Sequence, residues 1–559
     1  MTTITRSWPT LASGRFATLA AFALAGCVAI PLLGLGLTAM DADPSNGLHL
    51  LEHVIPTAAI NTLLLITGVA LIAAVVGTGC AWLLASYTFP GHTVLSWALL
   101  LPLAMPSYIV AYAYLDLLHP LGPLQESLRA LLGYSGPREF RLPDVRSLVS
   151  VIVLLGFVLY PYVYIGARTV FQMQSRNLAD AARSLGESRW GVLRRVALPL
   201  ARPAIVAGAT LAVLEALNDV GASEMMGVQT LTTVIYSTWI TRNDIGTAAQ
   251  FAIGVLAIVL FACLLERQAR ARRGYSTPDG IRSANPERLS GARAWATVLL
   301  TALPVVIGFL LPAAYLSFQA GVRISSAAGI SSDLVQAAGN SVAIALAVTA
   351  CAVACSLVLA WAARTWRSGR SQRIMRLVFV AGNVGYAVPG SVLAIGMLAT
   401  FAASDGVLNA LRSFFFDAGP VLWLGGSLTG LVIACTIRML AVSSGTIESG
   451  FARIPLSLDL AARSLGESSL ATLVRVHLPL LRPALAAGAL LVLVDAIKEL
   501  PLTLMLRPMN VETLATWIYG EAARGSYEEA SIAALAIVLV GLAPVMYLAR
   551  TLARPPRRT

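Results

Sequence analysis

Six ionisable residues stand in apolar surroundings that offer them little water. The stretch "LEALNDVGASEMMG" carries Glu215, Asp219 and Glu224, and "VDAIKELPLTLMLRP" carries Asp495, Lys498 and Glu499. Charges within long apolar runs are costly, and where they occur they bind ions, relay protons or neutralise one another. Glu215 and Asp495 are related by the same offset as Asp219 and Glu499. A spacing of four puts Glu215 with Asp219, and Asp495 with Glu499, on one face of a helix. Lys498 follows Asp495 by three residues, within helical ion-pair reach. Two readings stand side by side. One is a polar translocation path whose acids favour a cation. The other is an ion-pair network packing two halves of the chain together, with Asn218 and Lys498 as fillers.

Other chemistry is thin. The five histidines (His49, His53, His92, His119, His477) form no catalytic spacing, and the expectation is no catalytic residue and no metal site. His49 and His53, four apart, are read as part of a solvated outer loop rather than as metal ligands. The six cysteines all lie within apolar runs, which excludes a disulfide framework and a zinc site.

The elements that hold these residues are membrane helices. The chain is 57% hydrophobic and 12% charged, with mean hydropathy +0.76. Apolar runs long enough to cross a bilayer recur along it, and lipid demands helices or closed barrels. The alternating pattern of a membrane barrel is absent. The reading is an all-α polytopic membrane protein with about twelve spans: 16–40, 58–85, 94–118, 147–171, 203–226, 247–265, 295–318, 340–363, 375–400, 421–443, 483–506 and 530–549. Near the N-terminus "LAGC" (Leu24–Cys27) resembles a lipoprotein cleavage site, but the apolar run continues to Met40 and reads as an uncleaved first helix.

The basic residues set the orientation. Lys498 is the only Lys among the 40 Lys and Arg, 27 of which fall on one side of this topology and 9 on the other. That bias places both termini in the cytoplasm. It also makes nucleic acid a poor partner, since the net charge of +12 is spread over loops rather than gathered in a patch.

The chain repeats itself. "NTLLL" at Asn61 matches "NSVAI" at Asn340, Met105–Pro106 matches Val388–Pro389, and "TWI" at Thr238 matches "TWI" at Thr516. Residues 1–265 form a first half, 266–294 an Arg-rich linker, and 295–559 a second half. Six spans per half make the repeats parallel. The strongest match is "AARSLGES", identical at Ala181–Ser188 and Ala461–Ser468. It lies within segments 178–199 and 458–479, on the cytoplasmic side between the fourth and fifth span of each half. Leu178, Ala182 and Leu185 share a helical face, as do Leu458, Ala462 and Leu465. Gly186 and Gly466 suit a helix end, and Pro199 and Pro479 are read as breaking the following helix before the next span. Lipid requires no particular glycine or alanine pair, whereas a docking partner does.

These segments resemble the EAA loop of binding-protein-dependent ABC importer permeases. The matching positions are Asp180, Ala181, Ala182, Gly186, Val196, Leu198 and Pro199 in the first half. In the second they are Ala461, Ala462, Gly466, Val476, Leu478 and Pro479. Asp180 replaces the usual Glu; Leu460 takes the acidic place in the second copy, with Asp459 one residue earlier, so the acid is not required for docking there.

The resemblance implies a type I ABC importer permease fold in a bacterial inner membrane. It also implies two copies of an ABC ATPase seated on the loops and a periplasmic substrate-binding protein. ATP would be bound by those partners: a phosphate-binding Gly-Lys-Ser/Thr loop needs a lysine, and the single one lies in "DAIKEL". The segments "KELPLTLMLRP", "ETLATWIY" and "GVQTLTTVIYSTW" resemble ferric-iron permeases of this group. Ferric iron is a hard cation that takes oxygen donors. Thiamine, polyamine and sulfate importers share the coupling loop, and a secondary transporter with parallel repeats is the remaining alternative.

Overall fold

The computed structural model describes residues 12–42, 44–173, 184, 186–271, 287–325, 329–365, 369–416 and 419–553. Among them, ten helices are long and apolar enough to cross a membrane. The bent pair His92–Ala104 and Ser107–Leu117 is apolar enough to be a broken eleventh span or a re-entrant loop, and Ile245–Phe261 is a shorter apolar helix. The chain is thus an all-α polytopic membrane protein.

Several boundaries differ from the sequence reading. The expected span 94–118 bends by 90° at its centre. The bend falls at Met105–Pro106, where Met105 is extended because a proline excludes the helical conformation from the residue before it. Val388–Pro389 does the same in the second repeat. The expected span 375–400 therefore does not exist as one helix: Gly369–Gly382 ends, a short turn follows, and the apolar helix is Gly390–Phe416. His49 and His53 sit on the helix Pro44–His53, not in a loop. Residues 24–27 lie within one helix, Ala12–Met40.

Pro199 and Pro479 do not end their helices. Each lies in the first turn of a long helix, Leu198–Asn218 or Leu478–Ile497, and is preceded by a π-helical stretch, Leu193–Ala197 or Leu473–His477. Proline lacks an N–H and crowds the carbonyl four residues back; widening that turn accommodates it without stopping the helix. A third π stretch, Val306–Leu310, likewise precedes Leu311–Pro312.

The chain forms two compact units: residues 1–42 with 336–513, and residues 43–335 with 514–559. In the first, Ala12–Met40 packs along Gly390–Phe416, and Leu428–Ala452 along Leu478–Ile497. In the second, Ile55–Ser86 packs on Leu148–Met173, which also packs on Leu198–Asn218. Tyr527–Ala553 lies against Leu311–Ser325 and Leu514–Arg524. At the end of the linker, Glu287–Arg288 pairs in parallel with Tyr87–Thr88.

Glycine makes these contacts close, as expected where helices associate without a hydrophobic driving force. A methyl at Gly77 would stand 2.7 Å from the Tyr160 carbonyl oxygen and 2.8 Å from Val163 Cβ. One at Gly208 would stand 2.6 Å from Val163 Cα, so the Leu148–Met173 helix is gripped through glycines on both neighbours. Gly77→Ala should therefore lower the thermal midpoint of the purified protein, costing about 1–3 kcal/mol through backbone displacement. Gly79, two residues on, has no atom within 4 Å of such a methyl. Gly79→Ala should leave the midpoint unchanged or raise it through helix propensity alone.

Candidate functional site

The repeated octapeptide builds a helix–turn–helix elbow. In the second copy the helix Leu456–Ser464 ends in a left-handed glycine, Gly466, at φ +81°. Glu467 N–H bonds the Ala462 carbonyl at 3.0 Å and Gly466 N–H bonds that of Arg463 at 3.0 Å, the paired closure of a glycine-terminated helix. Ser468 then caps the next helix, accepting from Ala471 N–H at 3.2 Å. Arg475 reaches back to Glu467 at 2.6 Å. The first copy shows three of these features: Gly186 has φ +89°, Ser188 accepts from Gly191 N–H at 3.1 Å, and Arg195 pairs with Glu187. Gly, Glu and Ser of the octapeptide thus have work inside the chain.

Other predicted loop residues divide by exposure. Ala462 is buried, whereas Ala461, Leu460 and Leu465 face outward. Leu465 lies past the helix end and does not share a face with Ala462, and Leu458 is exposed. A methyl at Gly186 or Gly466 would meet nothing within 4 Å. Leu478 and Pro479, like Leu198 and Pro199, open the long helices beyond the π turns. Asp180, Ala181 and Ala182, with Leu178 and Leu185, lie outside the described residues.

From each elbow one helical run leads to the acidic residues: Trp190–Asn218 and Ser469–Ile497. Both stop there. Because the helices end at Asn218 and Ile497, Asp219 and Glu499 do not share a helical face with Glu215 and Asp495, contrary to the spacing argument. Each sits in a break before a short helix, Gly221–Met225 or Pro501–Leu506. Asp219 Oδ1 accepts from Ala222 N–H at 2.8 Å and Ser223 N–H at 3.3 Å. Glu499 Oε1 accepts from Leu502 N–H at 2.8 Å. The two carboxylates therefore cap the helices that restart beyond the breaks.

Their second partners differ. Ser107, just past the Met105–Pro106 bend, donates to Asp219. The residue following Val388–Pro389 at that place is Gly390, where a side chain would collide with Arg438. Arg438 enters there and lies 3.4 Å from Glu499, both side chains below 10% exposure. Sequence reasoning did not single out Arg438 as a site residue, although a charge within the span 421–443 was the available signal. Lys498 pairs with Asp495 at 2.8 Å, as the spacing predicts, in a more accessible position. Glu215 stands half-buried on the helix before the first break. The Asn218 Oδ1 and Ser223 Oγ atoms beside Asp219 are buried and have no hydrogen-bond partner among the described residues.

Beyond the breaks the repeats stay parallel. Asn61 donates to the Gln229 carbonyl at 3.0 Å and Asn340 to the Glu512 carbonyl at 2.9 Å, pinning matching connections. The helices Leu231–Ile240 and Leu514–Arg524 follow, and Tyr236 and Tyr519 meet there edge to face at 6.5 Å. Their hydroxyls are hydrogen-bonded, with Glu224 near enough for its charge to act on Tyr519. Among the described residues no group of three His, Cys, Asp or Glu could hold a metal.

Residues 73–271 and 352–558 each match the family model described as "Binding-protein-dependent transport system inner membrane component". The chain is 26% identical over 491 residues to the Fe(3+)-transport system permease protein FbpB 2 of Haemophilus influenzae, covering 87% of this chain and 88% of that protein. It is 30% identical over 228 residues to a probable molybdenum ABC transporter permease of Haloferax volcanii, covering 41% of this chain and 80% of that protein. The molybdenum transport system permease protein ModB of Escherichia coli K12 is 29% identical over 204 residues, which is 35% of this chain and 86% of ModB.

The two ion pairs near the second break should respond differently to truncation. Glu499→Ala strands a buried guanidinium and uncaps a helix, and should cost about 3–5 kcal/mol of stability. Lys498→Ala removes a partly exposed pair and should cost no more than about 1 kcal/mol. Thermal unfolding of the purified variants in one detergent distinguishes them, and equal losses would contradict the assigned geometry.

Proposed function

The chain belongs to the family of binding-protein-dependent transport system inner membrane components, with two family segments in one polypeptide, and from that premise we propose that it passes ferric iron inward through an ABC importer. It is the permease of such an importer, not its ATPase. In this proposal both termini lie in the cytoplasm, and each elbow seats one of two copies of an ABC ATPase. A periplasmic binding protein delivers the cargo on the other side.

The observation that carries the iron reading is similarity along nearly the full length to a permease named for Fe(3+) transport. The residues around the first break support it. Glu215, Asp219 and Glu224, with the hydroxyls of Tyr236 and Tyr519, present hard oxygen donors, the type that ferric iron prefers. They surround no enclosed cage, which suits a pathway that must release its ion. An oxyanion is the second reading. It is favoured by Arg438 and Lys498 at the second break and by the molybdenum permeases that match single halves.

The elbows within segments 178–199 and 458–479 are proposed to seat the ATPase through their outward faces, which in the second elbow are formed by Leu460, Ala461 and Leu465. Force from that contact would travel along Ser469–Ile497 and Trp190–Asn218 to the breaks. The π turns keep those helices continuous through Leu-Pro.

The Gly186→Asp with Gly466→Asp double variant should insert normally, yet lose its co-purifying ATPase and its uptake. An intact complex with normal uptake in that variant would remove the docking role. Cargo is tested in proteoliposomes holding the permease, its ATPase and its binding protein. Ferric iron should stimulate ATP hydrolysis at least about fivefold, while molybdate and sulfate should leave it near the basal rate. The reverse pattern would establish the oxyanion reading.

A further inference from the structure

The two elbows share their exposed chemistry but not their buried chemistry. The surface ion pairs Glu187–Arg195 and Glu467–Arg475 are duplicated. Behind the second elbow lies a buried junction. Arg364, at the end of Ser332–Thr365, donates to Asp459 Oδ2 through Nε at 3.1 Å and Nη2 at 2.7 Å. The same guanidinium donates to the carbonyls of Phe451 at 2.7 Å and Ile454 at 3.0 Å. The other carboxylate oxygen, Asp459 Oδ1, lies 2.6 Å from His477 Nε2. The Phe451 ring stacks under Arg364 and meets His477 edge-on at 5.4 Å. Arg364 and His477 side chains are each 4% exposed.

One carboxylate thus joins three elements: the helix ending in Arg364, the elbow helix Leu456–Ser464, and the long helix whose π turn closes at His477. In the first repeat the corresponding positions are Ala85, Ala179 and Ala197. Trp82 and Trp361 fix the register of the first position, and the octapeptide fixes the other two. At the place of Phe451 stands Phe171, which packs edge-on against Trp82 at 5.4 Å. Alanine offers no hydrogen-bonding side chain, so the three positions cannot form such a junction in the first repeat.

We infer that Arg364, Asp459 and His477 are positioning residues that weld the second elbow to its long helix, making the two ATPase contacts mechanically unequal. A buried guanidinium that donates from Nε and Nη2 to one carboxylate oxygen and to two backbone carbonyls is geometrically constrained. Displacement of the second elbow then moves Ser469–Ile497 as one body up to the break at Glu499. Motion of the first elbow reaches its own break without an equivalent buried tie.

The inference rests on the elbows being the ATPase contacts, and its test is separate from theirs. The whole complex is reconstituted with Asp459→Asn, with Arg364→Lys, and with the first-repeat control Ala179→Asn. Retained ATPase subunit, ATP hydrolysis and cargo uptake are measured together. Asp459→Asn and Arg364→Lys should retain the ATPase and its basal hydrolysis while uptake per ATP falls at least about fivefold. Ala179→Asn should change uptake per ATP less than about twofold. If Asp459→Asn fails to assemble, Arg364→Lys carries the same expectation, because it keeps the charge and loses only the planar fork. Unchanged uptake per ATP, an equal fall in the control, or a fall matched by proportionate loss of hydrolysis in both variants would overturn the weld. Failure of the elbow reading itself shows elsewhere, as ATPase retained by the double glycine variant.

Discussion

A helix that stops inside a bilayer leaves N–H and C=O groups that lipid cannot satisfy. This chain stops two of its apolar helical runs, at Asn218 and Ile497, and meets the exposed backbone groups with carboxylates. Asp219 and Glu499 accept the first N–H groups of the helices that restart. Each carboxylate is then a charge that itself needs company: Ser107 in one repeat and Arg438 in the other. The bends at Met105–Pro106 and Val388–Pro389 bring the segments carrying Ser107 and Gly390 to those sites. Much of the polar chemistry of each repeat follows from interrupting one helix.

The same helices run without interruption from the elbow side. Leu-Pro pairs, which normally end a helix, are carried through by π turns that widen the backbone by one residue. The result is a rod with one end in a surface turn and the other at a polar break. Such a rod transmits displacement well, because helices are stiff along their axis and because Gly208 and Gly488 let it sit tightly against the neighbouring helix.

The repeats have diverged where burial permits a choice. The accessible elbow pair is kept in both, as Glu187–Arg195 and Glu467–Arg475. Among the described residues, the pairs most sealed from water lie in the second: Arg438 with Glu499, and Arg364 with Asp459 beside His477. A buried ion pair is stable only when all its members are present, so it is gained or lost as a set. The second repeat therefore carries Arg438, Arg364 and His477 where the first carries Val158, Ala85 and Ala197.

Apolar run length determined the membrane class, and the internal repeat pointed to the two family segments at 73–271 and 352–558. The octapeptide identified the elbows before any coordinates, since its glycine, serine and glutamate act through neighbours within a few residues. Ion-pair spacing also gave Asp495 with Lys498. What escaped sequence reasoning depends on distance along the chain. Arg438 and Glu499 are 61 positions apart and Arg364 and Asp459 are 95 apart, and no periodicity joins them. The helix ends at Asn218 and Ile497 were hidden because hydropathy continues across them; only the capping contacts reveal that the backbone stops. Local pattern thus settled that the chain crosses a membrane repeatedly as helices, while tertiary packing decided where helices break and which charges meet, because only folding brings remote side chains into a shared dry site.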